Sequence, residues 1–245
     1  MDISAPNPRP LAIITGGSRG LGFEVAKSLA LQGFDIALIA KDSQRLDDAA
    51  AKLRNGDAHI STFACDLEQP HLVRELIDSL IQSLRTPHVL VLAHGVMSEK
   101  MSKTLKTNDA EWRRVMAINL DSVFQLVNGI APAMTDARNG RVIIFSACLG
   151  RMSGPGNAGG LAPYRISKAG VNALVRNLAH ETGLGARGFL VDAICPNHSR
   201  TDMGGPDAPR SAEEDAATAI WLATRTFNAG DTTGVLWEDQ QIIPW

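Results

Sequence analysis

Tyr164 and Lys168 stand four residues apart in Tyr164-Arg165-Ile166-Ser167-Lys168. On a helix that spacing puts both side chains on one face. A phenol ionises near ~10 in water and is a poor base at neutral pH. A neighbouring ammonium favours the phenolate and lowers that value. Proton transfer is most efficient when the carrier's pKa lies near the working pH, so the pair suits a proton-passing role. Tyr164 is the only tyrosine of the chain. Ser146 directly follows the apolar run 142–145, where its hydroxyl can hold a substrate oxygen. A Tyr–Lys pair alone is a common pattern, so the elements that position it decide its meaning.

The most informative of those elements lies near the start of the chain. A short apolar run, 11–14, leads into Thr15-Gly16-Gly17-Ser18-Arg19-Gly20-Leu21-Gly22, and a helical pattern follows over 21–31. Glycines 16, 20 and 22 let the chain turn sharply and let backbone approach a pyrophosphate, while the helix N-terminus offers free N–H groups and partial positive charge. A glycine-rich stretch carries this meaning only between a strand and a helix, and that context is present. Dinucleotide sites that select NAD usually place an acid at the end of the second strand, on the ribose hydroxyls. Here Ala37-Leu38-Ile39-Ala40 is followed by Lys41, with Asp42 one residue further on. Lys41 and Arg19 together suit a 2′-phosphate, so NADP(H) is the expected cofactor. A charge-assisted hydrogen bond of roughly 1.5–3 kcal/mol corresponds to about a tenfold to hundredfold preference. Asp66, in Ala64-Cys65-Asp66-Leu67, can accept from an adenine amino group or cap the next helix, and the two roles are compatible.

The remaining pattern supplies the frame. Strand-length apolar runs at 11–14, 36–39, 59–64, 89–93, 142–145 and 190–194 alternate with helical spacing at 21–31, 44–53, 72–84, 110–134 and 163–183. This is the rhythm of a parallel sheet with helices on both faces, and near-continuous apolar strands fit burial on both sides. The expected fold is a Rossmann-type doubly wound α/β sheet in three layers, as a single domain over 1–245. Segments 147–161 and 197–212 follow strands and should stand over the carboxyl edge, where ligands bind. The formal net charge is −2 with mixed signs, which gives no basic surface for nucleic acid or membrane. No apolar stretch approaches the ~18 residues of a membrane span, and 1–10 lacks the apolar core of a secretory signal. Cys65, Cys148 and Cys195 have no metal-ligand spacing and read as small buried apolar side chains. A reducing cytoplasm agrees with that reading.

Taken together, these residues resemble the short-chain dehydrogenase/reductase family. Thr15-Gly16-x-x-x-Gly20-x-Gly22 is similar to its cofactor turn, and Tyr164-x-x-x-Lys168 with Ser146 upstream is similar to its catalytic signature. Asn119, in Ile118-Asn119-Leu120, resembles the family's fourth catalytic residue, which anchors a water in a proton relay to the lysine. Pro196 and Thr201 resemble the segment that contacts the nicotinamide amide, and Ala93-His94-Gly95 stands where the family often has Asn-Ala-Gly. Motifs in family order cover about 11–240, and 201–205 with the tail 243–245 look most like NADPH-dependent carbonyl-reductase-type members. The resemblance implies that Tyr164 is the general acid in reduction and that Ser146 orients the carbonyl. Lys168 would bind the nicotinamide ribose and lower the tyrosine's pKa. Gly16, Ser18, Arg19, Gly20, Leu21, Gly22, Lys41, Asp66, Leu67, Ala93, Gly95, Pro196 and Thr201 would join Tyr164 and Lys168 around the cofactor.

Three departures stand out. His94 should supply a structural hydrogen bond of its own. Asn197 replaces the usual glycine after Pro196, and asparagine tolerates left-handed backbone. The interval from Ser146 to Tyr164 is longer than usual, with the excess in 148–160, so the pocket mouth should differ. The expected partner is a small carbonyl or alcohol substrate, and a homo-oligomer, dimer or tetramer, is expected over a monomer. The pocket loops carry no anion clamp apart from Arg151, Arg200 and Arg210. His198 reads as an exposed loop residue, and Trp112, Trp221, Trp237 and Trp245 as packing residues. The rival readings are an NAD-dependent alcohol dehydrogenase and a catalytically silent dinucleotide sensor. The joint presence of Asn119, Ser146, Tyr164 and Lys168 argues against the sensor.

Overall fold

The computed structural model describes residues 9–54, 56–99, 102–156, 158–228 and 230–245. Segment 1–8, most of the stretch read above for a secretory signal, lies outside them. The apolar runs become strands β1 (Leu11–Thr15), β2 (Asp35–Ala40), β3 (Ile60–Ala64), β4 (Val89–Leu92), β5 (Gly140–Phe145) and β6 (Phe189–Ile194). Every residue of β1, β4 and β6 is buried, as expected of strands covered on both faces. The strand order is β3-β2-β1-β4-β5-β6-β7-β8, and only the last pairing is antiparallel.

Helices α3 (Pro70–Ser83), α5 (Ser122–Asp136) and α6 (Ala162–Glu181) cover one face, where Leu76, Leu126 and Val175 join the core. Helices α1 (Gly20–Leu31), α2 (Ser43–Leu53) and α7 (Ala212–Thr224) cover the other, with Leu29, Leu46 and Leu222. The result is the expected three-layer, Rossmann-type arrangement. Because β1 lies between β2 and β4, the winding direction reverses there, which opens a crevice at the carboxyl edge. Among the described residues no helix is long and apolar enough to cross a membrane.

The structure departs from the sequence expectations in three places. Segment 110–134 is not one regular helix: α4 (Asp109–Met116) runs into a π-helical turn, Ala117–Asp121, before α5. Such turns are often found at functional sites. The C-terminal part adds α7 and a hairpin of β7 (Leu236–Glu238) and β8 (Gln241–Ile243). Finally, Cys148 and Cys195 are not isolated apolar side chains but a disulfide, with Cα atoms 5.5 Å apart, while Cys65 is free and buried. The cause is register: Phe145 pairs with Ile194, so the exits of β5 and β6 lie side by side despite a sequence separation of 47.

Candidate active site

A cleft of about 600 Å³ lies across the carboxyl edge of β1, β2, β4, β5 and β6. Its floor is the glycine turn. Gly16 adopts φ +66°, and a Cβ there would stand 3.0 Å from His94 N. At Gly22 a Cβ would meet Gly16 O at 2.4 Å, so the first turn of α1 rests directly on the loop. No side chain caps α1, whereas Asp42, Asn108 and Ser211 cap α2, α4 and α7. The free N–H groups of that first turn therefore suit an anion. Ser18, Arg19, Gly20 and Leu21 line the same end of the cleft.

Further along, Lys41 and Asp66 face each other from the ends of β2 and β3, with Nζ 2.7 Å from Oδ2. Asp66 also accepts from Glu68 N at 3.2 Å, so it serves as a turn acceptor. Arg19 pairs with Asp202 from the loop after β6, and Arg45 of α2 lies 3.8 Å from the same carboxylate. The expected cations are thus present, but both hold acids across the cleft. Arg45, not anticipated, joins Arg19 and Lys41 in the lining. Its signal was legible afterwards: it sits one helical turn past Lys41, in the first turn of α2.

The residues expected to pass a proton converge at the other end. Ser146, Tyr164 and Lys168 all line the cleft and are all at most 6% exposed. Lys168 Nζ donates to Phe145 O at 2.7 Å and lies 5.9 Å from the centre of the Tyr164 ring. Ala93, Gly95, Leu67, Pro196 and Thr201 border the space between the two ends. Gly95 separates Lys168 from Asn119: a Cβ there would lie 3.3 Å from Asn119 Oδ1 and 3.4 Å from Lys168 Nζ. Asn119 itself is fully buried in the π-helical turn. Its Oδ1 accepts from Val96 N at 2.8 Å and its Nδ2 donates to Val96 O at 2.9 Å, clamping the turn to the loop after β4. It does not line the cleft, although its neighbour Ile118 does.

Sequence reasoning missed Asn172. Its Oδ1 accepts the Ser146 hydroxyl, and its Nδ2 donates to Gly150 O at 3.2 Å. Tyr164, Lys168 and Asn172 form an i, i+4, i+8 ladder on α6, so extending the Tyr–Lys spacing by one turn would have found it.

Burial sets the protonation states. It pushes the Tyr164 phenol up to about 12, opposite to the lowering expected from Lys168. The same desolvation pulls Lys168 down to about 8. An interior site penalises either charge, and here that penalty exceeds the attraction across the gap.

His94 holds the frame together. Ser122 Oγ donates to Ile118 O at 2.7 Å and so accepts from His94 Nε2 at 2.9 Å. His94 Nδ1 is then left to accept from Thr15 Oγ1, at 2.6 Å. One imidazole thereby ties the end of β1 to the helix that carries Asn119. Burial first, and the Lys168 charge second, push its pKa down to about 3, so it stays neutral in the fold. An unfolded histidine binds a proton below about 6.5, so this site costs stability progressively as pH falls from about 6.5 towards 3. His94→Asn is expected to lower stability by about 1–3 kcal/mol at pH 7, the cost of broken buried hydrogen bonds. The gap to the parent should shrink towards pH 4. Denaturant unfolding at several pH values checks this, and a gap independent of pH would show that His94 does not carry the acid limb.

The described loop residues have settled roles. Arg200 donates to Ala208 O and Pro209 O at 3.0 and 2.8 Å, and Arg210 pairs with Asp239 at 2.8 Å. Both hold the loop after β6, and Arg200 also lines the cleft. His198 is exposed and bonds Gly204 O at 2.9 Å. Trp221 and Trp237 pack edge to face at 5.0 Å. Asn197 adopts φ +63°, the conformation expected when asparagine replaces glycine.

Comparison with known proteins agrees with this frame. The family model described as short chain dehydrogenase matches residues 10–211. The 3-oxoacyl-(acyl-carrier-protein) reductase FabG of Pseudomonas aeruginosa is 30% identical over 204 residues, 82% of this chain and 79% of that protein. Mouse (Mus musculus) carbonyl reductase (NADPH) 1 is 27% identical over an alignment of 278, covering 97% of this chain and 99% of its own length. A solved metagenomic short-chain oxidoreductase in complex with NADP superposes with a TM-score of 0.74 at 26% identity, over 89% of this chain and 91% of that one. The chain belongs to the short-chain dehydrogenase family, a family of oxidoreductases.

Proposed function

We propose that this protein reduces a ketone or aldehyde of a small organic substrate to the alcohol, reversibly, with NADP(H). The observation that carries the reading is the layout of the cleft. Arg19, Lys41 and Arg45 lie at one end, and Ser146, Tyr164 and Lys168 at the other. A glycine turn and an uncapped helix N-terminus lie at the end of the three cations, each of which is paired with an acid. A dinucleotide fits that layout, because the missing Cβ of Gly16 and Gly22 lets the turn pack against the exit of β4 and the start of α1, which sets the uncapped N–H groups where a pyrophosphate would bind. When bound, the nicotinamide supplies the hydride.

The chain's own residues do the rest. The Ser146 hydroxyl turns from Asn172 towards the substrate oxygen and orients it. Tyr164, neutral at pH 7 because of its burial, already holds the proton that the developing alkoxide needs. Lys168, still largely protonated at pH 7, stabilises the phenolate as the proton leaves and anchors the nicotinamide ribose. Asn119 fixes the turn behind Lys168 through its two side-chain bonds to Val96. A buried neutral phenol favours the reductive direction, since oxidation would start from the phenolate. The loop 197–212 borders the substrate, with Arg200, Thr201, Asp202, Met203 and Ala212 along the cleft, whereas no described residue of 147–161 lines it, contrary to the sequence expectation.

The test is turnover with a panel of uncharged ketones and aldehydes, comparing kcat/KM for NADPH and NADH. A ratio above one is expected, and a ratio below one would reassign the cofactor. The paired acids make the selectivity specific: the 2′-phosphate must displace Asp66 and Asp202 from their cations. Arg19→Ala combined with Lys41→Ala is expected to weaken NADPH binding by about tenfold to a hundredfold and to spare NADH. Equal losses for both cofactors would count against a 2′-phosphate contact.

A further inference from the structure

Cys148 and Cys195 are absent from the chemistry above, yet they sit within two residues of it. Cys148 follows Ser146 by two positions and opens the short 3-10 turn Cys148–Gly150. That turn is pressed against α6: a Cβ on Gly150 would stand 2.7 Å from the carbonyl carbon of Lys168. Cys195 ends the β6 edge immediately before Pro196 and is fixed by its N–H to Trp237 O at 2.8 Å. Their disulfide therefore joins the exit of the serine strand to the exit of the strand that leads into the cofactor-side loop.

The two sulfurs differ in setting. Cys195 is 3% exposed, whereas Cys148 is half-buried and so reachable. Glu238 of β7 places Oε2 2.7 Å from Cys148 Sγ. A carboxylate at that distance can take the thiol proton when the pair is reduced. Cys65 is separate, on the other half of the sheet, and burial pushes its thiol up to about 11.

We propose that Cys148 and Cys195 form a reversible oxidation site that sets how Ser146 and Pro196, which flank the bond, stand along the cleft. The inference rests on the reading of Ser146 and Tyr164 as the active site. As a dithiol the pair leaves the start of the 148–160 segment held through hydrogen bonds, from Asn172 to Gly150 O and from Arg165 to Leu149 O, Pro155 O and Gly156 O. As a disulfide it fixes the start of that segment to the residue before Pro196. The oxidant is a peroxide. Cys148 passes its proton to Glu238, and the thiolate attacks one peroxide oxygen, giving a sulfenic acid and hydroxide, which takes up a proton to become water. The Cys195 thiol then attacks Cys148 Sγ, and the sulfenic oxygen leaves as a second water. Two thiols thus lose two electrons to one peroxide. A small dithiol returns two electrons and two protons by exchange through a mixed disulfide, entering at the half-buried Cys148. In a reducing compartment the dithiol is the resting form.

The whole chain serves for the test. Free thiols are counted after treatment with hydrogen peroxide and after dithiothreitol, and ketone reduction is measured in both states. One free thiol is expected in the oxidised protein and three in the reduced. Substrate KM should differ between the states by about threefold or more, because small displacements at a reacting centre carry large rate effects, while KM for NADPH changes little. Cys148→Ser should be indifferent to peroxide and dithiothreitol, and Glu238→Gln should oxidise more slowly. Three thiols after peroxide would overturn the proposal, as would equal substrate KM in both states. Zinc retained at one equivalent with the thiols shielded would overturn it too, since the two sulfurs and Glu238 lie within 4.8 Å of one another and could hold a metal instead. The thiol count does not depend on turnover, so an enzyme inactive in both states would fault the functional reading and leave the oxidation site standing.

Discussion

Tyr164→Phe is expected to lower kcat for ketone reduction by roughly 10²–10⁴, the usual worth of general acid–base catalysis. The substitution removes one hydroxyl and leaves the ring in its buried seat, so NADPH affinity and folding stability should stay close to those of the parent. Steady-state kinetics with a cofactor titration monitored by fluorescence checks both halves, and activity within tenfold of the parent would remove Tyr164 from its role. The pH profile of the parent carries the companion signature. The phenol, pushed up to about 12, stays protonated throughout the accessible range. Lys168, held near 8 by burial, is the group that changes charge there. Reductive kcat/KM should therefore be level below about pH 8 and fall above it, as the ammonium that supports the phenolate is lost.

Gly22→Ala is expected to be nearly as damaging, by a different route. The new methyl group would lie 2.4 Å from Gly16 O and 2.8 Å from Gly16 C, and both are backbone atoms that cannot rotate aside. Either α1 or the glycine turn has to move. Overpacking of this kind costs about 1–3 kcal/mol, a fall in Tm of roughly 2–10 °C for a domain of this size. A displaced turn should also weaken NADPH binding by about tenfold or more, since backbone approach to the pyrophosphate depends on it. Gly20→Ala makes a useful contrast. Its clash is softer, 3.2 Å from the Thr201 methyl, but its φ of +55° strains any larger residue. An unchanged Tm and unchanged NADPH affinity in Gly22→Ala would contradict the contact.

What could be read from the sequence was local. The glycine turn, the Tyr164–Lys168 spacing and the alternation of apolar runs each occupy a few consecutive residues, and each imposes its own geometry. The features that escaped depend on residues distant in the chain. Asn172 was masked because asparagine on a helix face is unremarkable until Ser146 is brought to it from another strand. The Asp202–Arg19 pair needs the loop after β6 to fold back over the first turn. The Cys148–Cys195 bond needs the register of β5 against β6. Strand β7 has only three residues, too short to show a period. The π-helical turn inserts no residue type that marks it: Asn119 reveals it only through its bonds to Val96. The expected lowering of the Tyr164 pKa was wrong for a related reason. Spacing shows a cation nearby, but it does not show how completely water is removed.

That lone buried phenol also makes the molecule its own spectroscopic gauge. With a single tyrosine in the chain, any ultraviolet difference signal from phenol ionisation belongs to position 164, free of the overlapping titrations that usually blur such measurements. Ultraviolet difference spectra read in that band, with Tyr164→Phe as the blank, should show that phenol un-ionised up to the alkaline limit of the fold. The same signal followed during cofactor addition would register how much a bound pyridine ring changes the polarity around one hydroxyl group.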